Sequence, residues 1–429
     1  MDQRWNRLIV GVALLGLAFG GWSLWTNLDE LRTRSRSQEE IAKACGGLVD
    51  PEKVLSLHGG TLRAQAPDDA DDRITAPVTG PERCVVYRVT GKDKLFGLFQ
   101  LSIRPKPNER YAHLVGNSVT APFENEIREG TDNPVRDADI PMEHPLGDGR
   151  LGSYTQGRVT MKAVCDAPGD GKLTSVSATA LASYDPDTVT AEERRTLAAL
   201  AREAAQKAAA QLDCSAQLAR PPKNLDPPNR RLGAATAADG TCAWYARFLH
   251  GADRGRLPDR FLSAPTSARA WTESCLLALS TDELRRIWPE LNPWLHRDFE
   301  LEPFLRHLPW WMQTESFFGD EATAVTAEGV IDQTPLKPGT AGEVGGANVW
   351  WASSTCQGQP ALHTLTVAYP YDRTVRARLS AVFRAYVVDV TARRGCADVK
   401  FPSASAFKEA PEVKEPPRDS GRSRTPSAR

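Results

Sequence analysis

Asn348 to Cys396 reads NVWWASSTCQGQPALHTLTVAYPYDRTVRARLSAVFRAYVVDVTARRGC. Asn348 to Cys356 reads as a strand, Gln357 to Pro360 as a turn, and His363, Leu365, Val367 and Tyr369 alternate along a returning strand. Leu379, Val382, Phe383, Tyr386, Val387 and Val390 then recur at three- and four-residue spacing, one apolar face of a helix that Gly395 can end. A strand of about ten residues carries the chain some 33 Å from the turn, and a helix of about 20–23 residues returns it about 30–35 Å. Cys396 is therefore expected beside Cys356.

The same order occurs earlier in the chain. Gly157 to Cys165 reads as a strand, Pro168-Gly169-Asp170-Gly171 as a turn, and the next strand runs to about Ser183. A helix opens at Thr190, where Glu193 completes a capping box, and runs through alanine-rich sequence to Cys214. Cys84 to Cys165 and Cys275 to Cys356 each span 81 positions. Pro145-Leu146 and Pro335-Leu336 precede the strand cysteines, and Tyr184-Asp185 and Tyr371-Asp372 follow them. The pattern reads as a diverged repeat, too long in period for a solenoid unit.

Eight cysteines, at 45, 84, 165, 214, 242, 275, 356 and 396, include none of the close pairs that zinc ribbons or redox sites require. Their even number and wide spacing point to disulfides in an oxidising compartment, with buried free thiols as the alternative. Each set of four allows three connectivities. The return-helix geometry favours Cys165–Cys214 and Cys356–Cys396, which leaves Cys45–Cys84 and Cys242–Cys275.

Leu8 to Trp25 is uncharged, preceded by Arg4 and Arg7, with Trp5, Trp22 and Trp25 near its ends. That length is close to the minimum for a membrane span, so it reads as a signal anchor, with a cleavable signal peptide as the competitor. The expected organisation is a cytoplasmic stub at 1–7, a transmembrane anchor at 8–26 and a juxtamembrane linker at 27–44. An α+β module at 45–214 and a second at 215–400 follow, each an antiparallel sheet with packed helices, and 401–429 is a disordered tail. The expected placement is single-pass, with the N-terminus cytoplasmic and the bulk outside.

Lysine plus arginine, 53, nearly balances aspartate plus glutamate, 54, which argues against nucleic acid as a partner. No catalytic, cofactor or metal motif is complete. Asp170-Gly171-Lys172 lacks the glycine and hydroxyl of a phosphate loop, and His296-Arg297-Asp298 lacks its kinase companions. Gly339, Gly342 and Gly345 precede a strand where a dinucleotide fingerprint must follow one. Asp68, Asp69, Asp71 and Asp72 lack calcium-loop spacing and read as a solvated loop. Glu143-His144 with Asp148 has acid/base chemistry, but sequence neighbours seldom converge on one substrate. Trp310 and Trp311 are the candidate partner surface: adjacent indoles diverge on any regular element, so at least one is expected to be exposed, with core packing as the bland alternative.

The Cys45-Gly46-Gly47-Leu48 opening, the strand cysteines and the closing Gly395-Cys396, behind an N-terminal anchor, resemble exported actinobacterial α+β proteins of unknown function. That resemblance implies two-disulfide sensor-like or ligand-binding-like domains, here duplicated. No cysteine directly follows the hydrophobic segment, as a lipoprotein would need. The functional expectation is a non-enzymatic extracytoplasmic binding or sensing module tethered to the membrane, its ligand or envelope partner unspecified. An accessory subunit of a membrane complex, or an envelope hydrolase, is the alternative.

Overall fold

The computed structural model describes residues 28–408 except 68, 79, 92–93, 107–112, 117–121, 124–134, 140–141, 167–172, 252 and 330–331. The first module opens with helix α1, residues 28–44, which buries Ser37, Ile41 and Ala44. Helix α2, Pro51–Leu55, starts where the Asp50 carboxylate accepts the Glu52 amide, with Pro51 in the first turn where no amide proton is needed. Strands β1 (Ala64–Gln65), β2 (Glu82–Thr90), β3 (Lys94–Lys106), β4 (His113–Val115), β5 (His144–Pro145), β6 (Gly152–Tyr154), β7 (Arg158–Val164) and β8 (Ser175–Ala182) follow. All but β4 form an antiparallel sheet in the order β1-β2-β3-β8-β7-β6-β5.

Helix α3, Ala191–Gln211, packs across β7 and β8. The Thr190 hydroxyl accepts the Glu193 amide and the Glu193 carboxylate accepts the Thr190 amide, so two orphan donors of the first turn are satisfied. Its buried stripe, Leu197, Ala198, Leu200, Ala201, Ala204, Ala205, Ala208 and Ala209, is mostly alanine, which lets the helix lie close to the sheet. Leu101, Ile103, Val159, Met161, Val176 and Ala178 supply the sheet side of this core. Each fully buried Leu or Ile contributes roughly 1.5–3 kcal/mol.

The second module contains β9 (Gly233–Ala234), α4 (Ala243–His250), β10 (Arg260–Ser263) and β11 (Thr272–Ala278). A helical insert follows: α5 (Thr281–Ile287), α6 (Pro293–Asp298) and α7 (Leu301–His307). Then come β12 (Trp311–Phe318), β13 (Val325–Glu328), β14 (Gln333–Leu336), β15 (Gly342–Val344), β16 (Val349–Cys356), β17 (Gln359–Val367), α8 (Tyr371–Arg394) and β18 (Cys396–Lys400). The main sheet runs β15-β16-β17-β12-β11-β10-β9, with β18 beside β16. Every apolar position expected on the helix, from Leu379 to Val390, is buried, and Gly395 ends α8 in the left-handed conformation.

The two modules repeat one another. Strands β2-β3-β8-β7-β6 correspond to β11-β12-β17-β16-β15, with α3 and α8 after the last central strand of each. Cys165 directly follows β7 and Cys356 ends β16, so the two sit at equivalent points. The equal interval of 81 nevertheless conceals unequal parts. In the first module residues 91–93 join the first pair of strands and 107–157 lead to the Cys165 strand; in the second, 279–310 and 319–348 do so. The Pro-Leu pairs are not equivalent: Pro145 lies in β5 beside β6, whereas Pro335 and Leu336 lie in β14 beside β13.

Four disulfides close as the return-helix geometry requires: Cys45–Cys84, Cys165–Cys214, Cys242–Cys275 and Cys356–Cys396, with Cα separations of 5.2, 5.0, 5.1 and 4.0 Å. The modules are not independent beads. Strand β4 leaves the first module and pairs in parallel with β13 of the second, in a small sheet β14-β13-β4. Phe123, Val135, Ala138 and Met142 from the same connection enter the core of the second module. Leu218 and Leu225, beyond Cys214, belong to the first core, as do Ile41 and Ala44 ahead of Cys45.

The membrane-anchored part of the expected architecture is corrected. The stretch 8–26 that carried it lies outside the described residues, and among the described residues no helix is long and apolar enough to cross a membrane. Both long helices carry a buried stripe against a sheet and a charged outer face, so they cover cores. The signal anchor, the single-pass placement and the membrane as a partner rested on that stretch and find no support among the described residues; the tandem, disulfide-stapled α+β architecture stands. Of the expected tail, residues 401–408 pack onto the second module, where Phe407 is buried and stacks on Trp350, and 409–429 lie outside the described residues.

Candidate functional site

The expected partner surface at Trp310 and Trp311 is core. Their exposures are 0% and 3%, and Trp310 stacks on Tyr371 with ring centroids 4.8 Å apart. The two indoles do diverge, but both sides are filled. Helix α8 covers one face of the sheet, and the insert α5–α7 closes the end where Trp310 enters β12.

Glu143, His144 and Asp148 do not converge. His144 pairs with Tyr154 in the edge of the first sheet, and burial pulls its pKa down. Asp148 bonds Arg269 of the second module at 2.7 Å, an exposed contact that lowers its carboxyl pKa. Asp170-Gly171-Lys172 lies outside the described residues. His296-Arg297-Asp298 ends the short α6, and Gly342 starts the strand β15. In the acidic segment Asp69 accepts the Asp71 amide, and Asp72 pairs with Arg83 at 2.8 Å.

A different site lies between the modules. One face of β3, β8 and β7 packs under α3, and alternation sends the intervening residues to the other face. The strand pairing sets these in rows. Gln100, Leu181 and Arg158 form the first, Ser102, Thr179 and Thr160 the second, Arg104, Ser177 and Lys162 the third. Across a gap stand Ala270, Trp271 and Thr272 of the second module, and the cleft between them has a volume of about 260 Å³. That is slightly below the roughly 300–1,000 Å³ of drug-sized pockets, so it suits a small ligand.

The inner end of the cleft is shut by charge. Lys162 bonds Asp320 and lies 2.7 Å from Glu321 Oε1; Lys106, only 2% exposed, lies 3.3 Å from Glu321 Oε2. His113 Nε2 donates to the same oxygen at 2.7 Å, and Ser175 donates to Asp320 at 2.6 Å. Burial raises the Glu321 pKa, but His113, Lys162 and Lys106 outweigh it and hold the carboxyl well below its usual range. Burial also pulls Lys106 down, partly offset by Glu321. The Lys162 ammonium sits 4.0 Å from the Trp271 ring centre, and the Trp271 indole N–H donates to Arg150 O at 2.9 Å. Gly149 touches this seam: a Cβ there would lie 2.7 Å from the Ala270 nitrogen, and its φ is +84°.

The outer end is open and polar. Arg158 is exposed, and Ser153 donates to Glu143 at 2.8 Å on the rim. The half-buried Glu315 is pushed up to about 7, chiefly by burial and then by the charge of Glu143. The Thr160 and Thr179 hydroxyls bond each other at 2.9 Å. Gln100-Leu101-Ser102-Ile103-Arg104 alternates polar with apolar, a signal of a half-exposed sheet face that sequence reading alone did not connect to Arg158 or Lys162.

Comparison with known protein families, curated proteins and solved structures finds no match. The likeness to exported actinobacterial proteins therefore stands only in its coarse form, an α+β chain of two duplicated, disulfide-stapled modules.

Proposed function

We propose that this chain is a non-enzymatic extracytoplasmic binding module whose intermodule cleft holds a small polar ligand. The observation that carries the reading is the open, hydroxyl-lined face of the first sheet, roofed by the second module and closed at its inner end by buried ion pairs. This face is polar and roofed at once, with several hydroxyls and a guanidinium, unpaired among the described residues, converging on one space. The rim pair Ser153–Glu143 is exposed, so water screens it, which favours binding over nucleophilic chemistry. Pairing of all eight cysteines supports an oxidising compartment.

The test is thermal denaturation of the full chain with monosaccharides, sugar acids, sugar phosphates and amino acids. At least one class is expected to raise Tm, and Thr160→Trp, which fills the cleft from its floor, is expected to abolish that rise. No rise from any class, or a rise that survives Thr160→Trp, would refute cleft binding.

A further inference from the structure

Resting on the cleft reading, we propose that the ligand carries an oxyanion, a carboxylate or phosphate on a small hydroxylated body, and that Arg158 is the residue that receives it. The inner cations Lys106 and Lys162 already face Asp320 and Glu321, and Arg104 of the same row as Lys162 is engaged as well. Arg158 stands at the open end, and its side chain makes no hydrogen bond or ion pair among the described residues. Its direct neighbour on β8 is Leu181, which offers the guanidinium nothing polar. A planar guanidinium presents two parallel N–H groups, a geometry that matches a carboxylate or phosphate edge.

The hydroxyls around it add donors. In the Thr160–Thr179 pair one hydroxyl donates to the other, so the accepting hydroxyl keeps its own proton to offer the cleft. Ser102 accepts a long bond, 3.4 Å, from the Gln100 amide and likewise keeps its proton. Among the described residues that line the open end, the one carboxylate is Glu143, already accepting from Ser153. A neutral sugar can satisfy the hydroxyls of this floor but brings no charge to meet the Arg158 guanidinium. An oxyanion supplies acceptors and charge together.

Calorimetric titration of the full chain with glucose, glucuronate and glucose 6-phosphate tests this, the two anions separating a carboxylate source from a phosphate source. At least one anion is expected to bind about tenfold or more tighter than glucose, with a preference that shrinks as salt rises. Arg158→Gln should erase the preference and Arg158→Lys should restore part of it. Arg158 is exposed, so both variants are expected to keep the wild-type Tm. If neither anion binds above glucose, or the preference survives Arg158→Gln, the oxyanion assignment is overturned. Cleft binding itself fails on a different result, ligand effects that are indifferent to Thr160→Trp.

Discussion

His363 lies in the centre of β17 with no exposed surface, and both ring nitrogens are occupied. Nδ1 meets the Ser316 hydroxyl at 2.7 Å, Nε2 meets Ser354 at 2.9 Å, and Ser316 also meets the Tyr386 hydroxyl at 2.6 Å. Burial first, and the nearby Arg394 second, push its pKa down to about 3 from 6.5. The folded value is below the unfolded one, so the neutral ring's contribution is complete above pH 6.5 and drains away as pH falls toward about 3. His363→Gln is expected to reduce the slope of stability against pH in that window. At neutral pH it should cost about 2–4 kcal/mol, because buried hydroxyls lose partners. Urea unfolding across the range measures both, and an unchanged acid limb would show that His363 does not titrate on unfolding.

At the scale of elements, the decisive piece is the latch formed by the 3-10 turn Gly319–Ala324 after β12. It places Glu321 against cations from β3 and β7, so a loop of one module neutralises two buried ammonium groups of the other. Pairing buried charges roughly breaks even, but removing one partner leaves the other stranded. Glu321→Gln is therefore expected to destabilise the chain by about 3–5 kcal/mol, and adding Lys106→Met is expected to recover part of the loss. Glu321 holds a depressed pKa, so its contribution persists at neutral pH and is lost as pH falls through that depressed value. Chemical denaturation of the single and double variants checks the sign of the coupling; a double variant less stable than the single would contradict it.

For the whole molecule, the repeat and the cooperativity pull in different directions. Two copies of one fold predict two unfolding events, yet β4 crosses to β13 and Phe123, Val135, Ala138 and Met142 lie in the second core. Gly116, directly after β4, admits this crossing: a Cβ there would lie 2.3 Å from the Glu328 carbonyl oxygen. Unfolding the first module would withdraw that strand and uncover those side chains. The chain is expected to unfold in one calorimetric transition with matching calorimetric and van't Hoff enthalpies. Two resolved peaks would show that the crossing contributes little.

The sequence by itself determined the parts whose causes are local. Asp50-Pro51, Thr190 with Glu193, the α8 stripe and Gly395 act over a few residues, and helix and strand lengths brought Cys214 and Cys396 back to their partners by simple translation. Tertiary structure alone decided what fills each face. Trp310 and Trp311 were legible as divergent rings but not as rings covered on both sides, because the covering comes from α8 and from a helical insert peculiar to the second module. The cleft was legible only as alternation in β3. Its other residues come from strands some sixty to eighty positions away and from the opposite module, and nothing in local spacing records which polar face will find a roof. Lys162 and Glu321 look like ordinary surface charges in the chain; they meet because two sheets, each built by local rules, dock on one another.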